Sequence, residues 1–182
     1  MKYQDSWLNG GIEEKGIREC SSRYEIIKSF CNKYKGSFSI CDIGANMCYF
    51  GLRLIEDFPD CVVIAFEYNQ VKMRQEQLKK NKVNKLILFD RKINLNDIAI
   101  LIKTCHFNLV LALSVLHHVP GSVSEWMNKL KLLGDDVIIE LAANDSHRIE
   151  KCIDYTIPSD ATILGYGESH LDNFIKRPII LL

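Results

Sequence analysis

Apolar residues in this chain follow two alternating rhythms. Short unbroken runs occur at Phe38–Ile43, Cys61–Phe66 (CVVIAF), Lys85–Phe89, Asn108–Leu113 (NLVLAL) and Asp136–Leu141 (DVIIEL). Runs of this kind suit strands covered on both faces, as in parallel sheets. Between them, apolar residues recur every three or four positions, the helical rhythm. Ser22-Arg23-Tyr24-Glu25 reads as a capping box for a helix carrying Ile26, Ile27, Phe30 and Tyr34 as far as Gly36. Phe50, Leu54, Ile55 and Phe58 mark a helix stopped by Pro59, and a polar helix spans residues 69–81. Ile98, Leu101 and Ile102 mark the next. Ser122-Val123-Ser124-Glu125 opens another with a second capping box; its Trp126 and Met127 fall on the core side, and Gly134 closes it. Ile149, Cys152 and Ile153 predict one more crossover helix, and Thr162–Leu164 with Pro178–Leu182 a final antiparallel pair. Alternating strands and helices imply right-handed crossovers, hence an α/β fold of about seven mostly parallel strands with helices on both faces.

Composition narrows the partners. Lys+Arg and Asp+Glu are equal at 23, giving a formal charge of +0, which disfavours binding to nucleic acid mainly through phosphates. Residues Met1–Trp7 have no apolar signal-peptide core, and no apolar stretch is long enough for a membrane span. Seven cysteines without a CxxC pair read as buried free thiols, so a cytoplasmic protein is expected. Residues 1–36 form a lead-in and helix, and residues 37–182 a core, within one structural domain.

Three acids stand just past three successive strands: Asp42, Glu67 and Asp90. In a parallel sheet all three face the same rim, where ligands of open α/β sheets bind. Acids also cap helix starts, and any one alone would read that way. Together, and with the tight turn Gly44-Ala45-Asn46, they suit a cationic ligand rich in hydroxyl and amino donors. Glu67 would accept from ribose hydroxyls, Asp90 from an adenine amino group, and Asp42 with the turn would meet an ammonium group. S-adenosylmethionine has all of these parts.

These residues carry a resemblance. Asp42-x-Gly44-x-Asn46-x-Cys48 resembles the acidic-x-Gly-x-Gly-x-Gly motif of class I S-adenosylmethionine-dependent methyltransferases, with Glu67 and Asp90 matching the ribose and adenine acids. Ser114-Val115-Leu116-His117-His118 resembles the family's segment beneath the methyl donor. The resemblance runs from Phe38 to Leu182 and implies a Rossmann-like methyltransferase fold with an antiparallel last strand. It implies S-adenosyl-L-methionine as cofactor, held by Asp42, Gly44, Ala45, Asn46, Glu67, Asp90 and Ser114, with Tyr49 over the cation. Asn46 and Cys48 depart from the glycine pattern. Asn tolerates unusual backbone angles, whereas Cys48 is expected to push the cofactor outward or weaken its binding.

A shorter match lies upstream. Trp7, Gly16-Ile17-Arg18-x-Cys20 and Arg23-Tyr24-x-x-Ile27 are similar to the lead-in of methyltransferase domains that modify bacterial surface polysaccharides. This implies a small-molecule or glycan hydroxyl, or a phosphate, as methyl acceptor, with Arg18 or Arg23 pairing with the donor's carboxylate or an acceptor phosphate. His117 and His118 are candidate general bases; their structural reading is one core histidine and one loop histidine. Glu140, His147 and His170 match no metal-ligand spacing, so no metal site is expected. A short chain leaves little room for a lid, so a homodimer or partner chain is a candidate to complete the acceptor pocket. Three alternatives stand beside this reading: a nicotinamide dehydrogenase, which needs G-x-G-x-x-G; a degenerate binding module; and an RNA methyltransferase.

Overall fold

The computed structural model describes residues 2–142, 157–168 and 176–182. Seven strands form one sheet: β3 (Phe38–Ile43), β4 (Cys61–Glu67), β5 (Leu86–Asp90), β6 (Phe107–Leu113), β7 (Gly134–Glu140), β8 (Thr162–Glu168) and β9 (Lys176–Leu181). Their order is β5-β4-β3-β6-β7-β9-β8. The first five pair in parallel, and β9 runs antiparallel to both β7 and β8. Each expected apolar run is therefore a strand, within about two residues at its ends, and the antiparallel finish is present.

Helices α1 (Ser21–Cys31) and α2 (Tyr49–Asp57) cover one face, and α4 (Leu95–Thr104) and α5 (Val123–Leu133) the other. The alternation of β-strand side chains splits the core accordingly. Ile40 and Val63 pack with Tyr24, Ile27, Phe50 and Leu54 on the first side. Cys41, Ile43 and Val110 pack with Ile98, Trp126 and Leu130 on the second. The expected crossover helix at Ile149, Cys152 and Ile153 lies outside the described residues. The six described cysteines are free thiols, five of them buried.

Two local expectations need correction. Ser22 does not cap α1. The carboxylate of Glu19 does, accepting from the backbone N–H groups of Ser21 and Ser22 and from Ser22 Oγ at 2.5 Å. The helix also ends at Cys31, short of Gly36. At α5 the cap is as expected, with Glu125 N donating to Ser122 Oγ at 3.1 Å.

The N-terminal lead-in contains a hairpin that pattern reading passed over, β1 (Ser6–Leu8) and β2 (Gly11–Glu14). Asn9 and Gly10 turn it with φ of 45° and 85°, as a type I′ turn requires. It rests on α2 and on α3 (Val71–Asn81). Trp7 Nε1 donates to Glu56 at 2.7 Å, and Asn81 Nδ2 to Trp7 O at 2.8 Å. Residues before the hairpin are laid beside 16–18: Ile17 N donates to Lys2 O and Arg18 N to Tyr3 O, each at 3.0 Å. That strap carries Tyr3 and Gln4 to the rim of the sheet.

Candidate functional site

The chain leaves β3 toward β4 on one side and returns through β6 on the other, so the strand order reverses between β3 and β6. Adjacent crossovers diverge at such a point and open a crevice beyond the strands' carboxyl ends. A cleft of about 430 Å³ lies there. Its walls are Gly44 and Asn46 after β3, Phe66–Gln70 at the end of β4, Arg91–Ile93 after β5, Leu113–Val115 after β6, His118 and Val119, and Tyr3 with Gln4.

The turn after β3 is tightly specified. Gly44 has φ +75°, and a Cβ there would stand 2.5 Å from the Val115 side chain. Gly44 N and Ala45 N both donate to Phe66 O, at 2.9 and 3.2 Å. Asn46, Gln70 and Ser114 also hold positive φ, of 49°, 55° and 55°, and all three line the cleft. Left-handed backbone at residues other than glycine costs free energy and concentrates at functional sites.

Glu67 is buried at the tip of β4. Its Oε2 accepts from Asn46 N at 3.0 Å, and its Oε1 from Tyr68 N at 2.7 Å and Asn69 N at 2.9 Å. A carboxylate offers about four acceptor positions, so roughly one remains, on Oε2. Three buried oxygens near this loop have no hydrogen-bond partner: Gln4 Oε1, Asp42 Oδ2 and Asn46 Oδ1. Buried acceptors are normally satisfied by protein, water or ligand, and two of these three, on Gln4 and Asn46, belong to the cleft wall, where a ligand with N–H donors could meet them. An ammonium group supplies three.

Burial, reinforced by the negative charge of Glu67, pushes the Asp42 carboxyl up to about 7. The sign is then fixed. A raised folded-state value favours folding with the proton on. Asp42 therefore stabilises the fold at pH 4, and stability falls as pH rises toward 7. Asp42→Asn is expected to be more stable than wild type at pH 8, by about 1 kcal/mol or more, with the difference vanishing near pH 4. Urea unfolding at the two pH values measures this. A cationic ligand needs the ionised form, so its affinity should rise about tenfold from pH 6 to pH 8 in wild type and stay flat in the variant.

No protein-family model matches the chain, and no curated protein matches it. Solved structures do. The bifunctional kinase-methyltransferase WbdD superposes with TM-score 0.72 at 18% identity, over 92% of this chain and 40% of the WbdD chain. The N-terminal domain of EvdMO1, in the presence of S-adenosylhomocysteine and D-fucose, gives TM-score 0.63 at 13% identity, over 99% of this chain and 90% of that one. Magnesium protoporphyrin IX methyltransferase from Synechocystis PCC 6803 with bound S-adenosylmethionine gives 0.59 at 14%, over 88% and 77%. The fold is that of the class I S-adenosylmethionine-dependent methyltransferases. This chain spans 40% of the length of the WbdD chain it matches.

Within this methyltransferase fold the expected site residues divide. Gly44, Asn46, Glu67, Ser114 and His118 line the cleft. Asp42 lies two residues before Gly44, 2% exposed. His117 neighbours His118 in a single 3₁₀ turn, Leu116–His118, with ring centroids 3.8 Å apart. Asp42, Ala45, Tyr49, Asp90, His117 and Arg23 do not line the cleft. Tyr49 packs edge-on against Trp7, Tyr24 and Phe50. Asp90 sits level with Glu67 on the neighbouring strand, yet both its oxygens are taken by α3: Arg74 Nη2 donates to Oδ1 at 2.8 Å and Gln75 Nε2 to Oδ2 at 3.0 Å. Arg23 is buried and commits its guanidinium to Glu140 Oε2 at 3.1 Å, Glu19 O at 3.0 Å and Cys20 Sγ. Arg18 also pairs with Glu140, and reaches the cleft wall through Tyr3 Oη at 2.6 Å and Ser114 Oγ at 2.5 Å. Cys48, the other departure from the glycine pattern, takes the left-handed position with φ 58°, and its side chain is fully buried in the core under α1 and α2, away from the cleft lining.

Tyr3, Gln4 and Arg74 are the residues that sequence reasoning missed. Gln4 carries no periodic signal, because its place depends on pairing with the distant Arg18. Among the described residues, no three His, Cys, Asp or Glu side chains could share a metal ion, and no helix is long and apolar enough to cross a membrane. His147 and His170 lie outside the described residues.

Proposed function

We propose that this chain transfers a methyl group from S-adenosyl-L-methionine to a small-molecule or glycan acceptor, a hydroxyl or phosphate of a bacterial surface polysaccharide or its precursor. The observation that carries the donor half is the cleft at the strand-order reversal, walled by Glu67 and by Gln4 and Asn46 with their unpartnered buried oxygens. Glu67 Oε2 takes a ribose hydroxyl. Asp42, Gln4 and Asn46 take the ammonium. Ala45 supports the turn, Tyr49 and Arg23 hold the lead-in and core behind it, and Asp90 braces the rim. The donor, when bound, supplies an already activated methyl group, so this chain's main work is holding the acceptor oxygen in line with it. His118 accepts the hydroxyl proton, with the His117 ring beside it, tilted by 45°. Residues 1–36 and the core, 37–182, act as one unit, since Tyr3 and Gln4 complete a wall built by the core. An acceptor larger than one sugar would extend beyond the cleft, where a second copy or a partner chain would contact it. The sugar present with the EvdMO1 domain and the kinase-methyltransferase nature of WbdD support a glycan or phosphate acceptor. The equal counts of acidic and basic residues weigh against RNA.

Methyl incorporation from labelled donor into fractionated bacterial extract tests this. Label should enter a polysaccharide or low-molecular-weight fraction. His118→Ala should lower the rate roughly 10²-fold while binding S-adenosylhomocysteine like wild type. No incorporation in any fraction, with donor binding intact, would leave a binding module of the same fold.

A further inference from the structure

We infer that Arg74 is a positioning residue that locks the two donor loops to each other, and that Asp90 serves the site by holding Arg74 rather than by reading a nucleobase. The inference rests on the donor reading above. Arg74 is 0% exposed in a helix whose other faces are mostly Lys, Gln and Glu. Burying a guanidinium is costly unless its N–H groups are met. Here Nη1 and Nη2 are met by main-chain oxygens of two loops and by Asp90, while Nε has no partner. Nη1 donates to Asn46 O at 3.1 Å and to Asn69 O, and Nη2 to Glu67 O at 3.3 Å. Asn46 belongs to the turn after β3; Glu67 and Asn69 belong to the segment after β4. Asn46, Glu67 and Asn69 all line the cleft, and Arg74 does not. Its role is thus exerted from behind the wall.

Glu67 closes the same circuit from the front, accepting from the N–H groups of Asn46 and Asn69. Each loop is therefore gripped twice, once by a carboxylate at its amide hydrogens and once by a guanidinium at its carbonyls. Asp90 accepts from the remaining edge of the fork at 2.8 Å, and Gln75 fills its second oxygen at 3.0 Å. A planar fork can span carbonyls on two loops and a carboxylate at once; a lysine ammonium cannot. So engaged, Asp90 already spends one acceptor position of each oxygen on α3.

Two readouts on the whole chain test this. The first needs no ligand. Amide hydrogen exchange at Asn46, Tyr68 and Asn69 should accelerate together, about tenfold, in Arg74→Lys and more weakly in Asp90→Asn, while β6 and β7 keep wild-type protection. The second compares S-adenosylhomocysteine with its 6-oxo analogue, S-inosylhomocysteine, by calorimetry. Asp90→Asn should weaken both about equally, by about tenfold, leaving their ratio at the wild-type value. Unchanged exchange in both variants, or a ratio that falls to one only in Asp90→Asn, would overturn the inference. Wild type binding neither nucleoside would remove the donor reading, and exchange would still decide whether Arg74 couples the loops.

Discussion

Glu67→Ala should weaken S-adenosylhomocysteine binding by roughly 10²–10³-fold, the largest effect on affinity expected of a single side chain here. Two losses add. A hydrogen bond from a ribose hydroxyl to a charged oxygen contributes about 1.5–3 kcal/mol. The backbone N–H groups of Asn46, Tyr68 and Asn69 also lose their acceptor, so the turn after β3 and the segment after β4 lose one of their two ties and rely on Arg74. Glu67→Gln separates the two. It keeps one acceptor oxygen but turns an NH₂ group toward backbone donors, so it should fall between wild type and alanine. Calorimetric titration at pH 8 reads all three. Equal affinity in wild type and Glu67→Ala would mean that the nucleoside sits elsewhere.

Glu140→Ala should cost about 3–5 kcal/mol of stability. Glu140 is 1% exposed, at the end of β7. It accepts from Arg18 Nη2, from Arg23 Nη1 at 3.1 Å and from Ser114 Oγ at 2.9 Å. Arg177 joins the same cluster through Ser114 Oγ at 3.3 Å. Removing the carboxylate leaves two buried guanidinium groups, each 1% exposed, without their counter-charge. Burial already lowers the Arg18 value, with Arg23 adding repulsion and Glu140 opposing both. For a chain of this size the loss corresponds to a melting temperature lower by about 6–20 °C. Urea unfolding checks it, and a change below about 1 kcal/mol would show that water compensates the cluster. Glu140 also links the lead-in to the cleft, since Arg18 and Ser114 share it. Partial loss of donor binding should accompany the loss of stability.

Much of this was legible in the chain because its strands are apolar on both faces. Phe38–Ile43 is a strand at the expected bounds. Of the acids at the tips of β3, β4 and β5, Glu67 lines the cleft, Asp42 is buried outside its lining and Asp90 is tied to α3. The hairpin at Ser6–Glu14 was not read, although Asn9-Gly10 is a strong turn signal; its strands of three and four residues are too short for alternation to show. Tyr49 and Ala45, close in sequence to the glycine turn, do not line the cleft. At Tyr49, the first residue of α2, each step along a helix turns the side chain by about 100°, and local pattern does not say which way the helix faces. Arg23 and Glu19 show a further limit. Ser22 had the better local capping grammar, yet Glu19 reached the same amides from outside the helix. Gln4, Arg74 and Glu140 each depend on a partner far along the chain, Arg18, Asn46 and Arg18 respectively, which local pattern does not connect to them.

A crystal structure with S-adenosylhomocysteine tests the central claim most directly. It should place a ribose hydroxyl within hydrogen-bond distance of Glu67 Oε2 and the ammonium among Asp42 Oδ2, Gln4 Oε1 and Asn46 Oδ1. A nucleoside bound away from the β3–β6 crevice, or one whose ammonium meets none of those three oxygens, would contradict it.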